Sequence, residues 1–444
     1  MTLARRFLLT GAATLLVSGL SGCPWCGTPA PRPTPPPAPI PTPVESLLPG
    51  ESHVFSTWTN LVNGQLTIQV RRSIDRTPVA RAQVTLRGAT PAWGRTDSNG
   101  QAVLTPLDAG RHVVRIQAPG LASREIVVDD LVPGSPATFT VDLEPAAGAV
   151  SGRVLDASGN PIRAAVVSHA LGATLTGEDG RFTLQGLAAG QADLSVRRGG
   201  FAPGSWSGNL GGAATEVGDL RLAAAPIAIS LENPDQVLDR PGGTARTIRD
   251  ALSPLTTRAR AENMAWGERL DGATVRLVVA PSSTSLDAAT CDRLETFARA
   301  GGHLVLAGEW GGAAGYSPAA MLELTRRFGV GVEPTLVRPS PGDETGGFTT
   351  AAIAPWLPRS GTGSLRFRAA GTLFLPPSGL VLVGSPENAY RIANVEVAGW
   401  PLVGMMAVGN GRVTLLADSS LLVSGDDPGS DRGNQDFMID LLRL

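Results

Sequence analysis

The sequence VRLVVAPSSTSLDAATCDRLETFARAGGHLVLA, residues 275–307, places a helical pattern between two short apolar runs. The runs at 275–280 and 303–307 are rich in Val and Leu, a composition typical of strands that are covered on both faces. Apolar side chains recur three or four positions apart between the runs, at Cys291, Leu294, Phe297 and Ala298. A strand, a helix and a strand at this spacing predict a right-handed crossover between two parallel strands.

Capping residues mark the ends of the predicted helices. Thr284, with Asp287 three residues later, resembles a capping box and predicts the start of the helix. Gly301 predicts its end, because glycine readily adopts the left-handed conformation that follows a helix. Ser317 followed by Pro318 predicts the start of another helix after the second strand.

The alternation of strands and helices extends over residues 225–444, which we predict to form one α/β domain with a β-rich insertion. Further strands are expected at 227–231, 372–375, 380–383, 395–397, 402–408 and 412–417, and further helices at 244–252 and 435–444. With the segments that precede this domain, the chain is expected to be a multidomain β plus α/β protein.

The middle of the chain contains two similar units, in which TDSNG at 96–100 matches TGEDG at 176–180. Short runs of alternating apolar and polar residues surround both turns and favour antiparallel strands. An Asp that hydrogen-bonds its own backbone and a Gly that accepts positive φ favour a tight hairpin in each. Calcium binding by Asp97, Glu178 and Asp179 is the alternative, although too few oxygen ligands stand at loop spacing.

The segments GRVLDASGNPI at 152–162 and TGEDGRFTLQGLAAG at 176–190 resemble the carboxypeptidase regulatory-like, or transthyretin-like, family of seven-stranded sandwiches. The resemblance implies two small antiparallel β-sandwiches, at residues 63–146 and 147–224. It also implies a spacer or adhesive role for these modules and no reaction of their own.

The last domain resembles a second family, the class I glutamine amidotransferase-like fold. Residues 275–312 are similar to the central half of that fold, and the stretches at 409–422 and 433–444 are similar to the closing strand and helix of its non-catalytic relatives. Some of those relatives are extracytoplasmic domains associated with gliding-motility ABC transporters. The resemblance implies a flavodoxin-like or amidotransferase-like parallel-sheet domain.

An active amidotransferase carries a cysteine on a tight Gly-x-Cys-x-Gly turn, activated by a His from a His-Pro-Glu motif. The corresponding turn reads AGEWG at 307–311, so Glu309 stands at the nucleophile position, and Ser385 replaces the His. A glutamate cannot do the acyl-transfer work of a thiolate. We therefore expect no catalytic residue in this domain, and we expect Cys291 to pack within its helix.

The carboxyl ends of parallel strands meet at one edge of a sheet, where open α/β sheets bind ligands. Five acids are expected at this edge or in the loop beside it: Glu309, Asp418, Asp426, Asp427 and Asp431. They form a candidate site for a cation or a polar group; the alternative is that Asp418 caps a turn and the loop acids are solvated. We predict no metal-ligand set and no cofactor, because the four histidines are scattered and none has metal-ligand spacing.

The N-terminus has the pattern of an export signal. Arg5 and Arg6 precede an apolar segment at 7–20 that is too short to span a bilayer. The following LSGC at 20–23 resembles the lipobox of bacterial lipoproteins, which implies that residues 1–22 are a signal peptide and that Cys23 carries a lipid. An ordinary secretory signal or an uncleaved anchor is the alternative. Pro24 stands where an Asp would favour the inner membrane, so the resemblance slightly favours the outer membrane.

Residues 23–62 are rich in proline and are predicted to form a semi-rigid linker. The chain has 37 basic and 39 acidic residues, for a net charge of −2. Without an excess of positive charge to neutralise phosphates, nucleic-acid binding is disfavoured. The expected partners are the membrane, through the lipid on Cys23, and an envelope protein or polysaccharide.

These observations predict a lipid-anchored, extracytoplasmic protein of the cell envelope that acts as a binding or structural module and not as an enzyme. The alternative is a carbohydrate-binding or carbohydrate-active envelope protein, because exposed tryptophans could stack on sugars. The candidates for stacking are Trp93, Trp206, Trp310, Trp356 and Trp400. A third hypothesis is a hydrolase that uses Glu309 and an aspartate as a carboxylate pair.

Overall fold

The structure is a computed structural model. It describes residues 52–54, 64–88, 91–132, 134–169, 172–211, 214–238, 245–333, 336–340, 347–350, 353, 364–376, 379–386, 388–391, 395–396, 399–423 and 432–444. The signal segment, Cys23 and most of the predicted linker lie outside these residues. None of the helices among them is long and apolar enough to cross a membrane.

The first β-sandwich is built from eight strands. They are β1 Ser52–Val54, β2 Gly64–Arg72, β3 Gln83–Gly88, β4 Ala92–Arg95, β5 Gln101–Leu107, β6 Gly110–Gln117, β7 Arg124–Leu131 and β8 Ala137–Leu143. One sheet has the order β1-β4-β3-β6-β7 and the other β5-β2-β8. Strand β1 lies within the range that the sequence assigned to the linker, so that boundary is corrected: β1 pairs antiparallel with β4 and extends the first sheet.

The second β-sandwich follows with seven strands. They are β9 Val150–Asp156, β10 Val166–His169, β11 Gly172–Leu175, β12 Arg181–Leu184, β13 Gly190–Arg197, β14 Gly204–Leu210 and β15 Thr215–Leu222. The sheet orders are β11-β10-β13-β14 and β12-β9-β15. Mainly antiparallel sandwiches are thus confirmed, but β2 pairs with β8, and β9 with β15, in parallel. Most strands of the module lie between the two members of each pair along the chain, so the connection is long enough for parallel pairing.

The repeated turns have the same structure in both sandwiches. Thr96 and Thr176 are buried, and the hydroxyl of each donates to a carbonyl oxygen at 2.6 Å. Gly100 and Gly180 have φ angles of 76° and 74°, which favour glycine. Asp97 Oδ1 accepts the backbone N–H groups of two residues in its own turn, at 2.9 and 2.8 Å. The hydrogen bonds of Asp97 therefore match the turn-forming interpretation.

The last part of the chain alternates strands and helices. Its elements up to the fourth helix are β16 Ala228–Leu231, β17 Val237–Leu238, β18 Arg246–Thr247, α1 Ile248–Ala251, α2 Ser253–Ala261, β19 Ala265–Glu268, β20 Val275–Val279, α3 Ala288–Ala300, β21 His303–Ala307 and α4 Pro318–Thr325. The remaining elements are β22 Gly331–Glu333, β23 Phe348–Thr350, β24 Leu365–Phe367, β25 Thr372–Phe374, β26 Leu380–Gly384, β27 Tyr390–Arg391, β28 Val395–Glu396, β29 Pro401–Val408, β30 Gly411–Leu416 and α5 Arg432–Arg443. Two 3-10 turns lie at Arg326–Phe328 and Ser419–Leu421.

The central sheet has seven strands in the order β19-β16-β20-β21-β30-β29-β26. The first five are parallel to one another. Strands β29 and β26 run antiparallel to their neighbours, so the predicted parallel sheet is parallel over its first five strands and antiparallel at this edge. The reason is the two-residue turn Gly409-Asn410, which joins β29 to β30, because such a short turn can join only antiparallel neighbours.

Helices cover both faces of this sheet. Leu304 and Leu306 of β21 point to one face, where they share a core with Cys291 and Leu294 of α3. Val305, the residue between them, points to the other face and shares a core with α2 and α5. The strict alternation along a strand buried on both faces explains why β21 and β20 consist almost entirely of apolar residues.

The structure corrects one predicted helix start and bears out another. Helix α3 begins at Ala288, and Asp287 is its N-cap residue, which accepts the Thr290 N–H at 2.7 Å. The predicted capping box at Thr284 is wrong because residues 282–285 form a turn of their own, held by a bond from Ser282 N–H to Ser285 Oγ. Ser317 caps α4, as predicted.

The sandwiches pack against each other and against the α/β part of the chain. The Ser123 N–H in the first sandwich donates to the Gly186 carbonyl of the second at 2.8 Å. The rings of Trp93 and Phe374 lie with their centroids 3.7 Å apart and join the first sandwich to β25. These contacts make the two sandwiches structural partners of the last domain.

Candidate functional site

Glu309 lies two residues after β21, at the carboxyl edge of the parallel strands, and is 4% exposed. The Ser419 hydroxyl donates a short hydrogen bond to Glu309 Oε1. The register of the sheet brings Glu309 and Ser419 together, because Ala307 of β21 pairs with Leu416 of β30. Burial, and after it the charge of Glu309, raises the pKa of the Tyr316 hydroxyl. Glu309 is therefore part of an internal polar cluster with Ser419 and Tyr316.

The backbone around Glu309 is not a tight strand-to-helix turn. The ten residues 308–317 separate β21 from the first residue of α4. The strained backbone at this sheet edge lies instead at Ala280, which follows β20 and has a φ of 39°. A nucleophile elbow needs a sharp, strained turn at the reactive residue itself. Glu309, at the position where the resemblance would place a nucleophile, thus lacks the local geometry of one.

Both carboxylate oxygens of Asp418 accept backbone N–H groups. Oδ1 binds Ser420 N–H at 2.7 Å, and Oδ2 binds the N–H groups of Arg368 and Ala369 at 2.7 and 3.1 Å. Asp418 is 1% exposed and is the N-cap of the 3-10 turn after β30. These bonds correspond to the capping alternative, in which the carboxylate stabilises a turn and a neighbouring segment.

The other acids of the predicted ligand site, Asp426, Asp427 and Asp431, lie outside the described residues, so the five-acid site stays a prediction. Within the described ranges, no group of three or more His, Cys, Asp or Glu side chains is placed to hold a metal ion. Ser385 is buried at the position where the resemblance would place a His. Its hydroxyl accepts the backbone N–H of Trp400 at 2.9 Å.

Cys291 lies on the buried face of α3 and is fully enclosed, together with Leu294 and Ala298. Burial raises the pKa of the Cys291 thiol to about 11. A thiol is a nucleophile only as the thiolate, so this side chain is protonated and inert at neutral pH. Its position agrees with a packing role.

The tryptophans named as candidates for sugar stacking differ in their surroundings. Trp93 is 4% exposed and packs on Phe374, which removes it from contact with a glycan. Trp206, Trp310 and Trp400 are half-buried, and Trp356 lies outside the described residues. Part of the Trp206, Trp310 and Trp400 rings stays exposed, so sugar stacking by these three remains a prediction.

The structure also shows a buried ion cluster that the sequence did not indicate. Glu232 follows β16, and its side chain is 1% exposed. It pairs with Arg276 Nη1 at 2.6 Å and Arg293 Nη1 at 2.9 Å and accepts the Ser230 hydroxyl at 2.8 Å. The two arginines lie 44 and 61 residues away along the chain from Glu232. The pairing follows from the sheet order, in which β16 and β20 are neighbours.

The opposite, amino edge of the sheet carries a second buried polar group. His303 and Arg412 are the first paired residues of β21 and β30, and they are 2% and 3% exposed. His303 Nε2 is 2.8 Å from Thr414 Oγ1. Burial, followed by the charges of Arg412 and Arg198, holds the pKa of His303 well below its usual value of 6.5. His303 is therefore neutral at physiological pH.

We expect His303→Gln to flatten the acid side of the stability profile. In the folded protein His303 stays neutral, whereas in the unfolded chain it becomes protonated below pH 6.5. The contribution of His303 to the free energy of unfolding is therefore fully present above pH 6.5. It falls as the pH drops below that value, by up to about 1.4 kcal/mol per pH unit. Chemical denaturation between pH 7 and 5 measures the slope. An unchanged slope in the variant would contradict the assignment.

Comparisons with protein families and with solved structures place parts of the chain among known proteins. No curated protein matches it. Among solved structures, a streptococcal ancillary pilin matches at 17% identity and a TM-score of 0.18, over 38% of this chain and 64% of the pilin. The mmIFT52 N-terminal domain matches at 13% identity and a TM-score of 0.37, over 49% of this chain and 97% of that domain. The Bacillus anthracis TIE protein matches at 16% identity and a TM-score of 0.18, over 42% of this chain and 41% of that protein.

The chain thus spans less than two thirds of the pilin and of the TIE protein. Residues 236–442 match a family described as a domain of unknown function, DUF4350. Residues 65–144 and 149–223 each match the carboxypeptidase regulatory-like domain. The repeat in the middle of the chain therefore consists of two carboxypeptidase regulatory-like β-sandwich modules, as the sequence predicted.

Proposed function

We propose that the protein is a lipid-anchored, extracytoplasmic component of the cell envelope whose last domain binds or positions another envelope component without catalysing a reaction. The observation that carries the proposal is the state of Glu309. It stands where the resemblance to amidotransferases would place the nucleophile, and it is buried and bound by the Ser419 hydroxyl. A carboxylate held in this way contributes to the structure and does not attack a substrate.

An amidotransferase-like origin of the last domain is supported by its strand order. Numbered along the chain, the five parallel strands β16, β19, β20, β21 and β30 lie in the spatial order 2-1-3-4-5. That order is typical of flavodoxin-like sheets, the class to which the predicted fold belongs. The protonated, enclosed Cys291 supports the absence of thiol chemistry. Release of ammonia from glutamine by the purified protein would contradict this part of the proposal.

Attachment to the membrane rests on the N-terminal sequence. A basic pair, an apolar segment and LSGC at 20–23 have the order of a lipoprotein signal. The Pro-rich segment after Cys23 would hold the folded modules away from the lipid surface. Two or more acyl chains on one cysteine would anchor the chain firmly, whereas one chain binds reversibly.

We expect the Cys23→Ala variant to lose membrane attachment. The full chain, expressed with its signal in a Gram-negative host, should sediment with membranes and yield an N-terminal peptide that carries acyl groups on Cys23. The variant should lack the acyl mass and leave the membrane pellet in salt washes. Mass spectrometry of the two fractions measures both effects.

Cys26→Ala is the matched control, because Cys26 lies three residues away in the same segment. It should keep the lipid and the membrane location. Wild-type protein with an unmodified residue 23 would refute the anchor. Crosslinking in intact membranes then tests the binding role, which predicts a covalent adduct with an envelope component; a chain that forms no adduct would refute it.

A further inference from the structure

A cavity of about 290 Å³ lies where the second sandwich meets the amino edge of the central sheet. Its polar lining comes from Arg197 and Arg198 at the end of β13 and from His303 and Arg412 at the starts of β21 and β30. Phe201 and Phe297 contribute apolar walls. The cavity therefore joins three arginines from two modules beside a small apolar surface.

Arg412 is the central cation of this cavity. It is 3% exposed, and no hydrogen bond or ion pair to its guanidinium group is formed by the residues that the structure describes; its Nε atom is buried without a partner. Burial alone lowers the pKa of Arg412 to about 9, so it remains charged at neutral pH. A buried charge without a partner is strongly destabilising, and native proteins pair such groups.

The neighbouring cations increase the positive charge and do not compensate it. Arg198 donates to the carbonyl oxygen of Arg163 at 2.9 Å and to that of Arg443 in the last turn of α5. Arg197 lies against Gly301, the residue that ends α3, and its Nε is buried without a partner. The Arg443 carbonyl, at the C-terminal end of α5, offers some negative charge to Arg198. In the described part of the chain, no carboxylate pairs with either of them.

The backbone keeps the space in front of these cations free. A Cβ atom at Gly199 would lie 3.2 Å from Arg412 Nη2, so a side chain at Gly199 would crowd the guanidinium group. His303 completes the wall with a buried Nδ1 that has no partner among the described residues. Guanidinium groups bind carboxylate and phosphate oxygens through two parallel hydrogen bonds, a geometry that suits planar or tetrahedral oxyanions.

We propose that this cavity binds a small oxyanion, a phosphate or carboxylate group, which pairs with Arg412 and with Arg197. The bound anion neutralises a cluster that no acid of the described chain neutralises. Because Arg197 belongs to the second sandwich and Arg412 to the central sheet, the anion also fastens the two modules together. This role does not depend on the lipid anchor or on the envelope partner.

Thermal unfolding of the full-length protein in a non-ionic detergent tests the site, with inorganic phosphate and acetate as probes and chloride at equal ionic strength as the reference. Phosphate or acetate should raise the Tm in a saturable way, by about 2 °C at ten times its Kd. The stronger of the two probes identifies the preferred oxyanion. No rise above the chloride reference with either probe would overturn the proposal.

Arg412→Met removes the charge and keeps an unbranched side chain, which is shorter than that of arginine. We expect this variant to lose the anion response and, in chloride, to melt at or above the temperature of the wild type, because an unpaired buried charge has gone. Arg111→Met, on an exposed side chain of the first sandwich, should keep the full response. Arg197→Met is the second test variant and should weaken anion binding at least tenfold in calorimetric titration. Responses in both Arg412→Met and Arg197→Met that equal the wild type would overturn the site.

Discussion

Replacing Glu232 with alanine is expected to lower the free energy of unfolding by about 3–5 kcal/mol, the usual effect of removing one partner from a buried ion pair. The carboxylate pairs with Arg276, whose side chain is 12% exposed, at 2.6 Å and with Arg293 at 2.9 Å. Without it, the Arg276 charge stays between β20 and α3, beside the ring of Phe297, 5.0 Å away. Urea denaturation followed by circular dichroism measures the loss.

Asp235 provides the matched control for Glu232. It pairs with Arg249 at 2.7 Å, but its side chain is 64% exposed, so Asp235→Ala should change stability by less than about 1 kcal/mol. Glu232→Gln keeps oxygen and nitrogen atoms at the site and should give an intermediate loss. Equal small effects of Glu232→Ala and Asp235→Ala would show that the buried cluster is not a stabilising element.

Asp418→Ala should cost about 3 kcal/mol, because it leaves three backbone N–H groups without their acceptor in a site from which water is excluded. The three donors are Ser420, Arg368 and Ala369, and Asp418 itself is 1% exposed. Asp418→Asn should lose less, since one oxygen can still accept. Guanidinium denaturation of the purified variants gives the two values.

This result separates the two roles considered for Asp418. Substitution of a capping residue lowers the free energy of unfolding of the protein, whereas substitution of a residue used only for ligand binding would leave it unchanged. Asp287→Ala is the comparison, because Asp287 caps α3 through an exposed bond to Thr290 and its replacement should cost less stability than Asp418→Ala. An Asp418→Ala variant as stable as wild type would restore the ligand role.

Local sequence patterns predicted the elements around the site closely. Strand β21 has the bounds expected from its apolar run, and α3 differs from its prediction only at the start. That start was misplaced because Asp287 can serve either as the third residue of a capping box or as the cap itself. The choice depends on the turn at 282–285, whose hydroxyl and amide groups are bound by Gln236. Gln236 lies in a different loop, and no local pattern indicates it.

The sequence by itself determined the order of modules, the two repeated turns and the strand-helix-strand unit, because these follow from hydrophobic period and from residues that act on their own backbone. Only the tertiary structure decided which polar side chains meet. Glu232 contacts Arg276, and the neutral His303 lies beside the buried charge of Arg412, because β20 lies beside β16 and β30 beside β21. Sequence period sets which face of a strand a residue occupies. The neighbour across that strand is set by sheet order, which depends on the packing of the whole domain.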